Sequence, residues 1–171
     1  MLIDRKDHRM SESTALRRGD KAITEVAVLY RILDEASVLR LAMVDEGRPY
    51  VVPLNFAREG DTLWMHSAGA GRKLECLRRE PRVCVEVDHF FAIVEGSDRD
   101  PCNGWTTRFE SVIGFGMAEI VEGDQEKIRG LLAIMRKFSG RGEWTFSDDM
   151  LGKTAVLRVS LESLTGKRSP I

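Results

Sequence analysis

VLRLAMVDEGRPYVVPLNFAREGDTLWMHS, residues 38–67, reads as three strands and two turns. VLRLAMV (38–44) is apolar and strand-like, DEG breaks it, and RPYVVPLNFA (48–57) resumes the extended pattern. The chain turns again near REGD before TLWMHS (62–67). Connections this short require antiparallel pairing, because parallel neighbours need a crossover of about a dozen residues or more. The stretch is a meander, and the rest of the fold is read from it.

Upstream, TEVAVLYRILDEA places Val26, Leu29, Tyr30 and Leu33 at helical spacing, with Thr24 as N-cap. Residues 1–22 are polar and aperiodic; they read as an arm, mobile or laid on a partner, with the folded domain at 23–171. Downstream, a short helix over 71–79 turns Leu74 and Leu77 inward and stops at Pro81. RVCVEVD (82–88) alternates Val83, Val85 and Val87 with Arg82, Glu86 and Asp88, a strand with one buried face. Residues 89–107 are loop-rich, most of the turn signals lying in EGSDRDPCNG (95–104), and His89 follows the strand as a loop residue would.

FESVIGFGMAEIV (109–121) is the longest strand candidate. One face carries Phe109, Ile113, Phe115 and Met117, the other Gly114, Gly116 and Ala118. So little bulk on one face implies close approach by a neighbouring strand, a flat ligand or a second subunit. DQEKIRGLLAIMRKF then puts Ile128, Leu131, Leu132, Met135 and Phe138 on one helical face, with Asp124 as cap. TAVLRVSLESLTG (154–166) alternates Ala155, Leu157, Val159 and Leu161. The pattern is mainly β: an antiparallel, closed or partly closed barrel with peripheral helices. No βαβ repeat supports a doubly wound sheet.

The 171 residues suit one domain with a real core. With 26 basic and 27 acidic residues, net charge −1, there is no electrostatic case for nucleic acid. No run approaches the roughly 18 apolar residues of a membrane span, and MLIDRKDHRM carries charge where a secretory signal needs an apolar core. Cys76, Cys84 and Cys102 form no CxxC pair and no zinc spacing with His8, His66 or His89. A reducing cytoplasm and no metal are the expectations.

MHSAGAGRKL (65–74) lies between a strand and a helix, where anions are often held. After Gly69 and Gly71 no third glycine follows, and there is no GK[ST], so it is neither a dinucleotide fingerprint nor a phosphate loop of the NTPase kind. What remains is a glycine-softened entry to a helix, with the Ser67 hydroxyl and the charges of Arg72 and Lys73. A loop with a solvated Arg-Lys pair fits the spacing equally well. His66 ends a strand, where a lone histidine is more often structural than catalytic. No Ser-His-Asp order or paired-carboxylate spacing stands out, so a bound cofactor would supply the chemistry.

RLAMVDEGRPYVVPLNF, LWMHSAGAGRKLECLRREPRVCVEVD and WTTRFESVIGFGMAEIV, in this order and spacing, resemble the flavin-binding split-barrel superfamily. The nearest branch is the pyridoxamine 5′-phosphate oxidase-like proteins related to nitroimidazole resistance reductases, over about residues 30–166. The resemblance implies a homodimer of six-stranded antiparallel Greek-key split barrels, with FMN in grooves between subunits. It sets Val51, Val52, Pro53, Leu54, Asn55 and Phe56 beside the isoalloxazine ring through main chain. It puts His66 and Ser67 at the next strand end, Arg72 and Lys73 on the phosphate, and Trp105, Arg108 and Ser111 across the groove.

The chain also departs from the oxidases. It has no histidine after His89, and GKRSPI is a poor substitute for the basic residues with which they grip substrate. Vitamin B6 oxidation is therefore not expected. Gly71 stands where the oxidases usually have a hydroxyl residue. The leading expectation is an FMN-dependent reductase of small aromatic or nitro compounds, fed by NAD(P)H, with His66 as proton donor. A non-catalytic flavin- or haem-binding module and a deazaflavin-using relative are the alternatives. Neither nucleic acid nor membrane is expected as a partner.

Overall fold

The computed structural model of the chain describes residues 18–96 and 104–169. The meander is present as β2 (Val38–Asp45), β3 (Arg48–Glu59) and β4 (Thr62–Ala68). Glu46 and Gly47 both take positive φ, 51° and 80°, the two-residue turn whose twist matches a hairpin. α2 (Arg72–Arg79) then carries the chain to β5 (Arg82–Val94), which pairs with β2 rather than β4. β6 (Thr106–Ile120) returns beside β5, and β7 (Thr154–Arg168) pairs with both β6 and β4.

The ring order β4-β3-β2-β5-β6-β7 closes on itself, and every pair is antiparallel. A three-strand meander with the next strand set beside its first member is a Greek key. β1 (Ala22–Ile23) adds a two-residue edge to β7.

Alternation fills the barrel. Leu39, Leu41 and Met43 from β2 meet Val83, Val85 and Val87 from β5 and Leu157 and Val159 from β7, all buried. α1 (Val26–Glu35) adds Leu29, Ile32 and Leu33 to this core. It reaches β7 at Gly166, where any Cβ would collide with Leu29. α3 (Asp124–Ser139) and α4 (Asp148–Lys153) cover the outside of β4 and β7, making a second core around Trp64, Val156, Leu131, Ile134 and Leu151. Gly130 lets α3 lie close, since a Cβ there would stand 2.6 Å from the Trp64 ring.

Several expectations need correction. α1 is preceded by Glu25, not capped by Thr24; the Glu25 carbonyl takes the Val28 and Leu29 N–H groups. α3 starts after Gly123, at φ 83°, so Asp124 is its first residue rather than its cap. Its buried face is Gly130, Leu131, Ala133 and Ile134, and Phe138 is exposed, because the helix sits on Trp64 and not on the barrel interior. β5 continues through His89 to Val94, paired with Thr106–Glu110, so His89 is a strand residue. Of the expected 95–104 loop only Glu95, Gly96 and Gly104 are described; Cys102 lies outside the described residues. Most of the expected arm also lies outside them, and its last part forms a 3₁₀ turn, Gly19–Lys21, leading into β1.

β6 resolves its three alternatives. Gly114, Gly116 and Ala118 point into the barrel, and Ile113, Phe115 and Met117 point out. The close approach is made by the neighbouring strand: a Cβ on Gly116 would collide with the Ser160 carbonyl, beside the register shift between β6 and β7. The small face is therefore no subunit interface.

Candidate functional site at the barrel split

β3 and β4 pair over only four positions, from Glu59 opposite Thr62 to Phe56 opposite Met65. Beyond Phe56, β3 stays with β2 as far as Arg48, while β4 stays with β7 as far as Ala68. The two strands part, and the barrel wall opens between Tyr50–Asn55 and His66–Ala68. Backbone groups of β3 that face away from β2 have no ladder partner here, which leaves donors and acceptors for a ligand.

Val51, Pro53 and Asn55 are exposed, and Val52 and Leu54 are half-buried. Asn55 is tied down by its Nδ2, which donates to the Ser37 carbonyl at 3.1 Å. Phe56 marks the closed end of the split, with its ring fully buried.

On the other lip, His66, Ser67 and Ala68 are held in register by Val156, Ala155 and Thr154 of β7. The Gly69 N–H donates to the Lys153 carbonyl at 3.0 Å. Gly71, at φ 125°, then lets the chain enter α2 with no side chain capping the helix. The Leu74 and Glu75 N–H groups turn back to the Gly71 carbonyl. Those of Arg72 and Lys73 have no acceptor among the described residues. A helix end of this kind favours an anion.

The charged side chains differ. Arg72 donates its Nε–H to Asp45 Oδ2 at 2.7 Å and lies 4.3 Å over the Tyr50 ring. Arg79 holds the other Asp45 oxygen at 2.5 Å. Lys73 is half-buried and has neither carboxylate nor carbonyl partner among the described residues. Burial lowers its ammonium pKa. Burial, and then the Lys73 charge, also lower the His66 imidazole, although much of its surface is exposed. A half-buried ammonium with no counter-ion among the described residues, beside an imidazole whose charged form is disfavoured, makes a site short of negative charge. Among the described residues Ser67 Oγ donates only to the adjacent Ala68 carbonyl, at 3.1 Å, and can turn to another acceptor.

Trp105, Arg108 and Ser111 are elsewhere. Ser111 pairs with Asp88 and Lys167, Arg108 with Ala92, and Trp105 immediately precedes β6. In the ring, β6 is separated from β3 by β2 and β5 one way and by β4 and β7 the other. A single chain brings Ser67, Arg72 and Lys73 to the split, and sets Trp105, Arg108 and Ser111 on the opposite wall. There Arg108 lines a hollow of about 420 Å³ with Phe91, Phe109, Arg168 and the Arg31–Glu110 ion pair. Arg168, read from the sequence only within GKRSPI, is the last residue of β7. Asp45 and Tyr50 escaped the sequence reading, the first being read only as part of a turn.

An apolar row joins the two walls on the outside. Val51, Ala42, Cys84 and Phe115 are successive cross-strand partners on β3, β2, β5 and β6. Val51 is 57% and Phe115 44% exposed, with Val44, Ile113 and Met117 exposed around them. A contiguous exposed apolar sheet face of this kind is unusual in a lone subunit.

Residues 25–168 match the model of a family described as pyridoxamine 5′-phosphate oxidase. Among solved structures, a candidate 5-nitroimidazole antibiotic resistance protein from Bacteroides thetaiotaomicron is 31% identical, with 85% of each chain covered and a TM-score of 0.76. The flavocytochrome Anf3 from Azotobacter vinelandii is 23% identical, over 94% of this chain and 75% of that one, at 0.77. An FAD- and haem-binding protein from Mycobacterium smegmatis is 24% identical, over 88% and 74%, at 0.76. No curated protein sequence matches the chain. The chain belongs to the pyridoxamine 5′-phosphate oxidase family, and its barrel is the split barrel of these structures.

Proposed function

We propose that this member of the family binds FMN at the β3–β4 split and is an oxidoreductase of small aromatic or nitro compounds, with electrons from a nicotinamide donor. The observation that carries the reading is the positive charge of Lys73, uncompensated among the described residues, beside the uncapped start of α2. A phosphate monoester supplies the missing negative charge and accepts from the free N–H groups of Arg72 and Lys73. The unpaired edge of β3 suits the alternating donors and acceptors of a flavin ring edge. Bound flavin supplies hydride and electron transfer; the residues of the chain position and surround it.

His66, at the split, is the group we assign to proton donation. The relatives support the same reading: a flavocytochrome, an FAD- and haem-binding protein and a candidate nitroimidazole resistance protein.

We further assign the working unit to a homodimer. The two candidate half-sites lie on opposite walls of one chain, and the exposed row from Val51 to Phe115 connects them. Isologous pairing of that face buries it and brings the Arg108 wall of one subunit to the split of the other. The Phe91 and Phe109 rings and the Arg108 and Arg168 guanidinium groups then offer a small aromatic substrate a stacking surface and donors for nitro oxygens.

The absorbance spectrum of the purified protein after saturation with FMN, followed by flavin fluorescence titration, tests the cofactor. A stoichiometric flavin spectrum is expected, and Lys73→Ala should weaken binding by about 1.5–3 kcal/mol. A haem spectrum, or no FMN uptake, would dismiss the reading.

A further inference from the structure

We propose that Asp45 and Tyr50 are positioning residues for Arg72, presenting its terminal amino groups to a phosphate that neither of them touches. The inference rests on the phosphate site proposed above.

Three observations carry it. First, Asp45 takes Arg72 through Nε alone, at 2.7 Å. Both terminal nitrogens are without an acceptor among the described residues. That is the end of the guanidinium fork that fits two phosphate oxygens. Second, the Tyr50 ring lies 4.3 Å from the guanidinium carbon. The ring bounds the group on one side, and the Nε bond anchors its inner end. An exposed arginine has many rotamers, and holding it in one before the ligand arrives removes that ordering cost from binding.

Third, the Asp45 charge is already answered. Arg79 lies on Oδ1 at 2.5 Å, and the carboxylate side chain is only 15% exposed. Arg79 also faces the exposed Glu46 at 3.7 Å, so Asp45 is shared between two guanidinium groups and does not neutralise Arg72 alone. The Arg72 bond also holds the Asp45 carboxyl below its ordinary pKa, so the brace is ionised throughout the neutral range.

The three elements converge by topology. Asp45 ends β2, Tyr50 lies on β3 just past the hairpin, and Arg72 and Arg79 are the first and last residues of α2. The brace thus ties the phosphate end of the site to the hairpin that starts its flavin edge.

FMN and riboflavin differ only in the phosphate, so the ratio of their dissociation constants isolates this group. Both are titrated by flavin fluorescence against the full-length protein and its variants. The wild type is expected to prefer FMN. Asp45→Ala and Tyr50→Leu should each cut that preference by about tenfold, with riboflavin affinity unchanged. Tyr50→Phe should retain it, because the contact is with the ring and not the hydroxyl. In an Arg72→Ala background, Asp45→Ala should have no further effect.

An unchanged or larger FMN preference in Asp45→Ala would overturn the proposal, as would an Asp45 effect that persists without Arg72. If Asp45→Ala does not fold, the Tyr50→Leu and Tyr50→Phe pair decides alone. A wild type that binds riboflavin as tightly as FMN would overturn the phosphate site itself, and the brace with it.

Discussion

The Lys137 ammonium lies 3.9 Å from the centre of the Phe56 ring, and so links α3 to the residue at which the barrel opens. Its Nζ also donates to the carbonyls of Leu33 and Ala36, at 3.2 and 2.5 Å, closing the end of α1. Burial lowers its pKa to about 8; Asp34 opposes the shift and Arg58 adds to it. The folded value lies below the unfolded one of about 10.4, so the unfolded chain holds more protons between them. Stability relative to Lys137→Met should therefore rise as pH increases from about 8 to about 10. Denaturant titrations of both proteins at the two ends of that window check the sign. A gap that stays constant or narrows would show that Lys137 is not desolvated in solution.

Gly116 has no room for a side chain, because its Cβ would meet the Ser160 backbone rather than a side chain that can swing aside. Gly116→Ala should cost about 1–3 kcal/mol and lower Tm by several degrees. Gly114→Ala should cost less, since its Cβ meets the ends of Leu164 and Val85 at 2.8 and 3.0 Å. Equal melting temperatures for the two variants would contradict the close β6–β7 approach.

Phe115 points outward beside Cys84 and belongs to the face assigned to subunit pairing. Phe115→Glu should leave the circular dichroism spectrum intact, convert a dimer to a monomer in light scattering, and abolish FMN retention. A monomer that keeps FMN would place the whole cofactor site within one chain.

His66 has its imidazole pKa lowered, by burial first and by Lys73 second. Its cationic, proton-donating form is therefore reached only below the ordinary value of about 6.5. If it donates the proton, reoxidation of the reduced protein by a nitroaromatic should accelerate as pH falls through that lowered pKa. His66→Ala should keep FMN, flatten the profile and slow the step by roughly 10²-fold. Stopped-flow measurements give both rates; an unaltered rate with FMN bound removes His66 as the acid.

The meander and α2 could be read from the chain because their signals are local. Alternation, the DEG turn and Pro81 each act within a few residues. The inward face of β6 could not be read so. Period-two alternation separates two faces, but pairing with β5 and β7 decides which one enters the barrel. The end of β5 was masked by turn residues just beyond it, although Phe90, Phe91, Ile93 and Val94 suit a strand. In the site, Ser67, Arg72 and Lys73 stand within seven positions of one another and were found by spacing. Asp45 and Tyr50 approach Arg72 only once the hairpin and α2 have packed. The split itself depends on where the β3–β4 ladder stops, which no local periodicity encodes.

That open edge of β3 carries a hazard of its own, since unpaired strand backbone is a template for aggregation. Pro49 and Pro53 lie in β3 opposite Val44 and Arg40, within the ladder to β2. A proline fits a paired strand only where its ring nitrogen turns away from the ladder. Both rings therefore interrupt the row of donors on the free side, and an incoming strand finds acceptors without their matching N–H groups. The edge stays open to a small flat molecule while resisting growth by another polypeptide. Replacing both prolines would restore those donors, and light scattering should then show more aggregation than in the wild type.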